Sequence, residues 1–173
     1  MNTMQAIAWL LPVIFMIHDF EEIFLIEAWK TRFASKLKTM KNPPYAEMHD
    51  TASFSIAIAI EFVLLSLLAL FSCILDSYVF WFGMFFGFAF HLLVHFLLAF
   101  WFKHYVPGAA TAIPCFVLSC WVLYKAYRLC HFEIIPLFFC CFVGVVFMLV
   151  MILVLHKLMP VFEKWVNRYK VGE

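Results

Sequence analysis

The sequence has little charge and no cysteine motif, and each shortage excludes a class of protein. Only 13% of its 173 residues are charged, whereas 66% are hydrophobic and 23 are phenylalanine. This apolar fraction far exceeds that of water-soluble domains. The six cysteines form no C-x-x-C pair and fall mostly in apolar runs, where a thiol behaves as a small hydrophobic group. We therefore expect a membrane protein whose cysteines are packing residues.

Basic residues are also few, and they form no continuous tract. The net charge is +1, and no Lys or Arg precedes Lys30. Binding to a nucleic-acid backbone needs a concentrated basic stripe, so we expect no nucleic-acid partner. No small-residue cleavage pattern follows the first apolar run, so we expect this run to be retained as a helix rather than removed as a signal peptide.

Long apolar stretches, bounded by charged or turn residues, make up most of the chain. They predict an all-α fold: a polytopic bundle of about five transmembrane helices that forms one domain over residues 1–173. Short turns rich in Pro, Gly or Asp separate the stretches, which favours antiparallel packing of successive helices. The predicted spans are residues 4–29, 51–75, 79–102, 109–124 and 136–155.

The distribution of basic residues indicates an orientation for this bundle. Ten lie after the first span, after the third span or in the C-terminal tail, whereas only Lys125 and Arg128 lie on the other side. The positive-inside rule then places the N-terminus outside and the C-terminus in the cytoplasm. In residues 29–41 and 157–170, apolar side chains recur at helical spacing opposite lysines, which predicts amphipathic segments on the cytoplasmic leaflet.

Several ionisable residues lie inside the predicted spans. A charged group at the bilayer centre costs roughly 2.5–3.5 kcal/mol, so several buried carboxylates need compensation comparable with the stability of a domain. A divalent cation compensates several carboxylates at once, and a structural metal site supplies about 10 kcal/mol or more. The residues concerned are His18, Asp19, Glu21, Glu22, Glu61, His91 and His95.

Depth and spacing indicate that most of these side chains meet. Counted from the nearest cytoplasmic-side charge, they lie 8–12 residues into their helices, or roughly 12–18 Å. Within each of two helices, a pair of candidates is four residues apart and shares a face, as do the histidines of zinc-binding H-E-x-x-H helices. Asp19 is expected to orient a ligand histidine as a hydrogen-bond acceptor. We predict a metal site whose ligands are His18, Glu22, Glu61, His91 and His95.

Two short motifs resemble those of a known family. H-D-F-E-E at 18–22 and Y-V-P-G at 105–108, with a further intramembrane histidine, resemble the HXXEE family of small bacterial membrane proteins. The resemblance extends from the first helix to the start of the fourth and implies a location in the bacterial cytoplasmic (inner) membrane. It adds Tyr105, Pro107 and Gly108 to the candidate site, leaves open whether His91 or His95 is the family histidine, and implies no activity.

Three functions fit this donor set. Nitrogen and oxygen ligands without thiolate suit zinc first, with iron or manganese as alternatives. The first hypothesis is a membrane-embedded hydrolase in which Glu21 or Glu61 activates water against a lipid or other apolar substrate that enters sideways. The second is a di-iron oxidoreductase, because the carboxylates and histidines exceed the needs of one zinc. The third is a proton- or cation-coupled transporter, against which the absence of a visible repeat weighs. The sequence predicts no oligomeric state.

Overall fold

The described residues of a computed structural model form helices and no strand, which confirms the all-α prediction. The structure describes residues 2–46, 48 and 50–171, with side chains through Tyr169. The helices are α1 Thr3–Ala8, α2 Leu10–Arg32, α3 Ala34–Thr39, α4 Thr51–Ile74, α5 Val79–Phe102, α6 Ala109–Cys130 and α7 Ile134–Val171.

Four of these helices, α4 to α7, are long and apolar enough to cross a membrane. Helix α2 has 23 residues and is about 34 Å long at about 1.5 Å per residue, which also matches a bilayer core. It differs from the other four in carrying Asp19, Glu21, Glu22 and Glu27 among its apolar residues. Of the predicted spans, the first is therefore the one whose apolar sequence contains several acidic residues.

The first predicted span, 4–29, is broken near its start. Pro12 has no N–H to donate to the carbonyl of Ala8, four residues earlier, so a helix through this point loses one hydrogen bond. The indole nitrogen of Trp81 donates to that carbonyl at 2.9 Å. Helix α1 accordingly ends at Ala8, and α2 begins at Leu10 and continues three residues past the predicted end.

Three other segments differ in extent from the predicted bounds. Helix α6 continues to Cys130, six residues past residue 124, and residues 34–39 of the predicted segment 29–41 form α3. The last span and the predicted segment 157–170 are one helix of 38 residues. Pro160 lies inside this helix without ending it, because a proline removes only its own N–H bond when its neighbours remain helical.

Helix α5 packs against both α6 and α7, whereas α2 packs against α4 and α6. Gly83 and Gly87 permit the close approach of α5 and α7: a Cβ on Gly87 would lie 2.5 Å from the Gly144 carbonyl oxygen. Gly83 similarly faces the Cys140 carbonyl. Residue numbers rise together along both helices, so α5 and α7 run parallel. This contact sets one face of α7 beside the histidines of α5.

Candidate metal centre

Three histidines from two helices meet inside the bundle. His18 on α2 and His91 and His95 on α5 each offer a ring nitrogen, and these nitrogens lie within 4.8 Å of one another. The His18 ring centroid is 4.7 Å from that of His95, and the His91 centroid is also 4.7 Å from it. His18 is fully buried and His95 is 4% exposed. The structure thus brings together the three histidines that the sequence predicts as ligands.

The ring of His95 is oriented by the backbone of the Y-x-P-G turn. Its Nδ1 lies 3.1 Å from the carbonyl oxygen of Pro107. A carbonyl oxygen can only accept, so Nδ1 carries the hydrogen, and the Nε2 of a neutral ring presents a lone pair. That Nε2 lies 3.0 Å from the Nε2 of His91 and 3.3 Å from the Oε1 of Glu22.

The ring of His18 is oriented by a hydroxyl group. Its Nδ1 lies 3.0 Å from the Oγ1 of Thr111. The hydroxyl has two acceptors of its own, the carbonyls of His18 at 3.4 Å and Gly108 at 3.3 Å. It therefore donates to a carbonyl and accepts from Nδ1. The Nε2 of His18 is buried and has no hydrogen-bond partner among the residues that the structure describes.

The arrangement of His18 and His95 is typical of metal-binding histidines. Such residues usually donate one ring N–H to a carbonyl, carboxylate or water and direct the other nitrogen at the metal. Here the Pro107 carbonyl and the Thr111 hydroxyl accept hydrogen bonds from the two Nδ1–H groups. The Nε2 lone pairs of both rings point into the same cluster. A buried ring nitrogen without a hydrogen-bond partner, such as the Nε2 of His18 among the described residues, costs free energy, and a cation bound there removes that cost.

Glu22 lies at the edge of the histidine cluster. Its Oε1 contacts the Nε2 of His95, and it accepts a hydrogen bond from the Tyr45 hydroxyl at 3.3 Å. The same hydroxyl lies 3.0 Å from the Pro107 carbonyl. Burial raises the pKa of Tyr45 well above its usual value, and the nearby Glu22 carboxylate raises it further. The Tyr45 hydroxyl therefore keeps its hydrogen and remains a donor. Glu22 is thus a neighbour of the compact three-histidine group, with its contact through His95.

Glu21, although adjacent in sequence, has a different environment. Its carboxylate accepts the backbone N–H of Ala110 at 3.2 Å and that of Thr111 at 2.6 Å, and it also accepts the hydroxyl of Tyr105. These N–H groups belong to the first turn of α6, where an acidic group satisfies unpaired donors and the helix dipole. Glu21 does not line the cavity beside the histidines. Of the two glutamates predicted to activate water, Glu21 instead joins α2 to α6.

The Y-x-P-G turn connects these two environments. The Tyr105 carbonyl accepts from the indole of Trp29 at 2.6 Å, and burial together with the hydrogen bond to Glu21 raises the pKa of the Tyr105 hydroxyl. Gly108 has φ +83°, and a Cβ there would lie 2.7 Å from both Glu22 Oε1 and His95 Nδ1. Only glycine fits this position, for conformational and steric reasons. The H-x-x-E-E and Y-x-P-G motifs therefore form one hydrogen-bonded unit.

A cavity of about 350 Å³ adjoins the cluster, and the remaining candidate carboxylates, those of Asp19 and Glu61, line it. Glu61 on α4 is 7% exposed and lines this cavity, but it lies outside the three-histidine group. Asp19 also lines it, and within residues 2–46, 48 and 50–171 its buried Oδ2 has no hydrogen-bond partner. The prediction that Asp19 orients a histidine differs from the structure, because in the described part of the chain the Pro107 carbonyl and the Thr111 hydroxyl do so.

Three residues of this region were missed by sequence reasoning. Thr111 is the third residue of α6, and its position just after the Y-x-P-G turn was an available signal. Tyr45 lies in the α3–α4 loop after two prolines, where the sequence offers no periodicity. His156 lies near the C-terminal end of the predicted last span and lines the cavity from α7. Its helical spacing from Ile152 and Met159, which line the same cavity, was the available signal.

Fold and site together define a helical bundle with membrane-length helices around a buried cluster of histidine and glutamate. The sequence profile of the family described as "Protein of unknown function with HXXEE motif" matches residues 9–123, and the chain belongs to this family. The predicted resemblance is thereby confirmed. The matched region contains both motifs and both α5 histidines, and it ends within α6, before α7. No curated protein and no solved structure matches the chain.

Proposed function

We propose that the chain is an integral protein of the bacterial cytoplasmic membrane in which α2 is a fifth span and the N-terminus lies outside. The outward face of α2 supports a lipid environment, because Val13, Ile17, Phe20 and Phe24 are 46–72% exposed. The opposite face carries His18, which is fully buried in the cluster. A helix with apolar residues outward and polar residues inward is what a functional transmembrane span requires.

The buried cluster is a site for a divalent metal ion, with zinc as the expected ion. Its ligands are His18, His91 and His95, with Glu22 beside His95. The observation that carries this proposal is that His18 and His95 both have Nδ1 committed to protein acceptors and Nε2 directed into one buried group. Three histidines are the ligand set of catalytic zinc sites that keep one position open.

The activity that this arrangement supports best is hydrolysis of a lipid or other apolar substrate. When bound, zinc supplies a nucleophile by lowering the pKa of water to about 7 and polarises a carbonyl group. Glu61 lines the cavity without belonging to the three-histidine group, so it is the candidate to accept a proton from water. The Tyr45 hydroxyl lines the same cavity and donates to Glu22, so it orients that carboxylate beside the histidines.

Hydrolysis of ester and amide lipid analogues by the purified chain tests this function. We expect turnover to be lost after chelation and restored by zinc, and Glu61→Gln to lower kcat by about 100-fold or more, as loss of a general base does, while zinc content stays unchanged. Glu27→Gln is the matched control, since Glu27 on α2 lies outside the cavity and accepts the backbone N–H of Thr51 at the N-terminus of α4. Full turnover by Glu61→Gln, or by the metal-free chain, would contradict the proposal.

A di-iron oxidoreductase is the second candidate, and one observation favours it. Asp19, Glu22 and Glu61 line the same cavity as the histidines, and this supply of carboxylates suits two iron ions better than one zinc. Two irons per chain with a visible absorption band would support this candidate over the hydrolase. A chain that binds no metal but carries protons or cations across vesicles would support transport instead.

A further inference from the structure

The cavity beside the histidines has two chemically different parts. Its polar part is formed by α2, the α3–α4 loop, α5, one acidic residue of α4 and His156 of α7, and it faces the candidate metal centre. Its larger part is an apolar wall contributed by α4 and α7. The apolar residues on those two helices are Phe54, Ala57, Ile58, Leu149, Ile152, Leu153, Leu155 and Met159.

The cavity reaches the outer surface of the bundle beside α7. It is only partly enclosed, and two of its lining residues, Leu149 and Leu153, are 38% and 60% exposed. Gly87 lies against Gly144 in the parallel α5–α7 pair, so residues 149–153 stand at about the level of His91 and His95. The surface beside a membrane-length helix at this depth is hydrocarbon rather than water.

The size of the cavity limits what it can hold. About 350 Å³ is near the lower end of the roughly 300–1,000 Å³ found for small-molecule sites. This space accommodates a compact head group and one adjoining aliphatic segment. A diacyl lipid would have to place two chains and a bulky head in the same volume.

We infer that this cavity binds an amphiphile with one aliphatic chain and a compact ester or amide head group. The head lies against His91, His95 and Tyr45, and the chain passes along α4 and leaves beside Leu153. This inference rests on the proposed function for the identity of the head group. The placement of the chain depends on the cavity and its lateral opening alone.

Photocrosslinking of the full chain in lipid nanodiscs tests the inference. The probes are a single-chain fatty amide with a diazirine in its chain and a diacyl phosphatidylcholine with the same group. We expect the single-chain probe to label the α7 peptide containing Leu149 and Leu153 at least tenfold more than the diacyl probe does, a difference of about 1.4 kcal/mol in binding. Equal labelling by both probes would overturn the inference.

Ala57→Phe supplies the matched variant, because Ala57 is 4% exposed and lines the cavity. We expect its larger side chain to fill the cavity and lower single-chain labelling about tenfold, which equals about 1.4 kcal/mol. Ala59→Phe places the same ring on the exposed side of α4 and should leave labelling unchanged. Ala57→Leu repeats the test with a smaller side chain if the phenylalanine variant does not fold. Unchanged labelling in a folded Ala57 variant would overturn the inference.

Metal analysis of the same samples separates the two proposals. Zinc in the wild type and in the Ala57 and Ala59 variants, with no preference for the single-chain probe, would overturn the amphiphile site and leave the metal site standing. Labelling that is selective and blocked by Ala57→Phe in a chain without metal would leave the amphiphile site standing and contradict the metal-dependent function.

Discussion

The region matched by the family and the helix that follows it contribute different things to one cavity. The hydrogen bonds that orient His18 and His95 lie within residues 9–123, through Pro107 and Thr111. Helix α7 contributes an apolar wall, His156 and a glycine contact with α5. On the proposed function, the candidate metal ligands come from the first region, whereas α7, together with α4, supplies the apolar wall of the cavity. We expect changes near the candidate ligands to alter metal binding, and changes in α7 to alter which molecule enters.

The largest effect should come from His95→Ala, which removes a proposed metal ligand and leaves the Pro107 carbonyl without the N–H of His95. We expect zinc content to fall by about 100-fold or more, and the free energy of unfolding to fall by about 1–3 kcal/mol for the unsatisfied buried group, in addition to the lost binding free energy of the zinc. Elemental analysis and thermal unfolding measure both. Leu153→Ala on α7 is the control and should retain its zinc. Full zinc content in His95→Ala would remove His95 from the site.

Gly108→Ala should have the next largest effect. The added Cβ meets Glu22 and His95 at 2.7 Å, and φ +83° strains any L side chain, so we expect a loss of about 1–3 kcal/mol in stability together with weaker zinc binding. Gly144→Ala sharpens the comparison, because its Cβ meets the backbone of Gly83 on α5. That variant should lose stability but keep zinc. Equal loss of zinc in both variants would contradict the separation of the two regions.

A smaller effect is expected from Glu21→Gln. The amide can still accept one hydrogen bond, but it loses the charge that complements the first turn of α6, so stability should fall by about 0.5–2 kcal/mol. Chemical denaturation measures the loss. Zinc content should remain near that of the wild type, in contrast to Glu22→Gln beside His95. A Glu21→Gln variant that loses zinc as completely as His95→Ala would place Glu21 in the metal site.

The smallest effect is the loss of stability expected when the Tyr105 hydroxyl ionises at alkaline pH. Burial and the hydrogen bond to Glu21 raise the pKa of this hydroxyl in the folded chain above its usual value of about 10. The resulting stability is fully present below about pH 10 and is lost as pH rises through the higher folded pKa, because the unfolded chain releases the proton first. Thermal unfolding between neutral pH and about pH 11 should show this decline, and Tyr105→Phe should reduce it. An identical decline in both proteins would show that other groups cause it.

Much of the fold follows from composition and spacing. Apolar runs identify the long helices, and the four-residue spacing of His91 and His95 places both rings on one face of α5. Helix α7 was harder to delimit, because Lys157 and Pro160 are signals of a helix end. Neither prevents continuation: a lysine is a good helix former, and one proline removes a single hydrogen bond.

The sequence predicts which residues form the candidate site, but not the hydrogen bonds that connect and orient them. Spacing alone shows that Glu21 and Glu22 point about 100° apart, but not that α6 begins beside one of them. The acceptor for His95 is a backbone carbonyl, which every residue possesses, so sequence cannot single out Pro107. Asp19 looked like the natural orienting group because it is the nearest carboxylate in sequence. The turn at Gly108 supplies that orientation instead.

X-ray absorption at the zinc edge, combined with elemental analysis of the purified wild-type chain, tests the metal centre most directly. We expect about one zinc per chain, bound by three imidazole nitrogens and completed by oxygen. A chain that remains folded and takes up no metal, or zinc bound mainly by sulfur, would contradict the assignment of His18, His91 and His95 as its ligands.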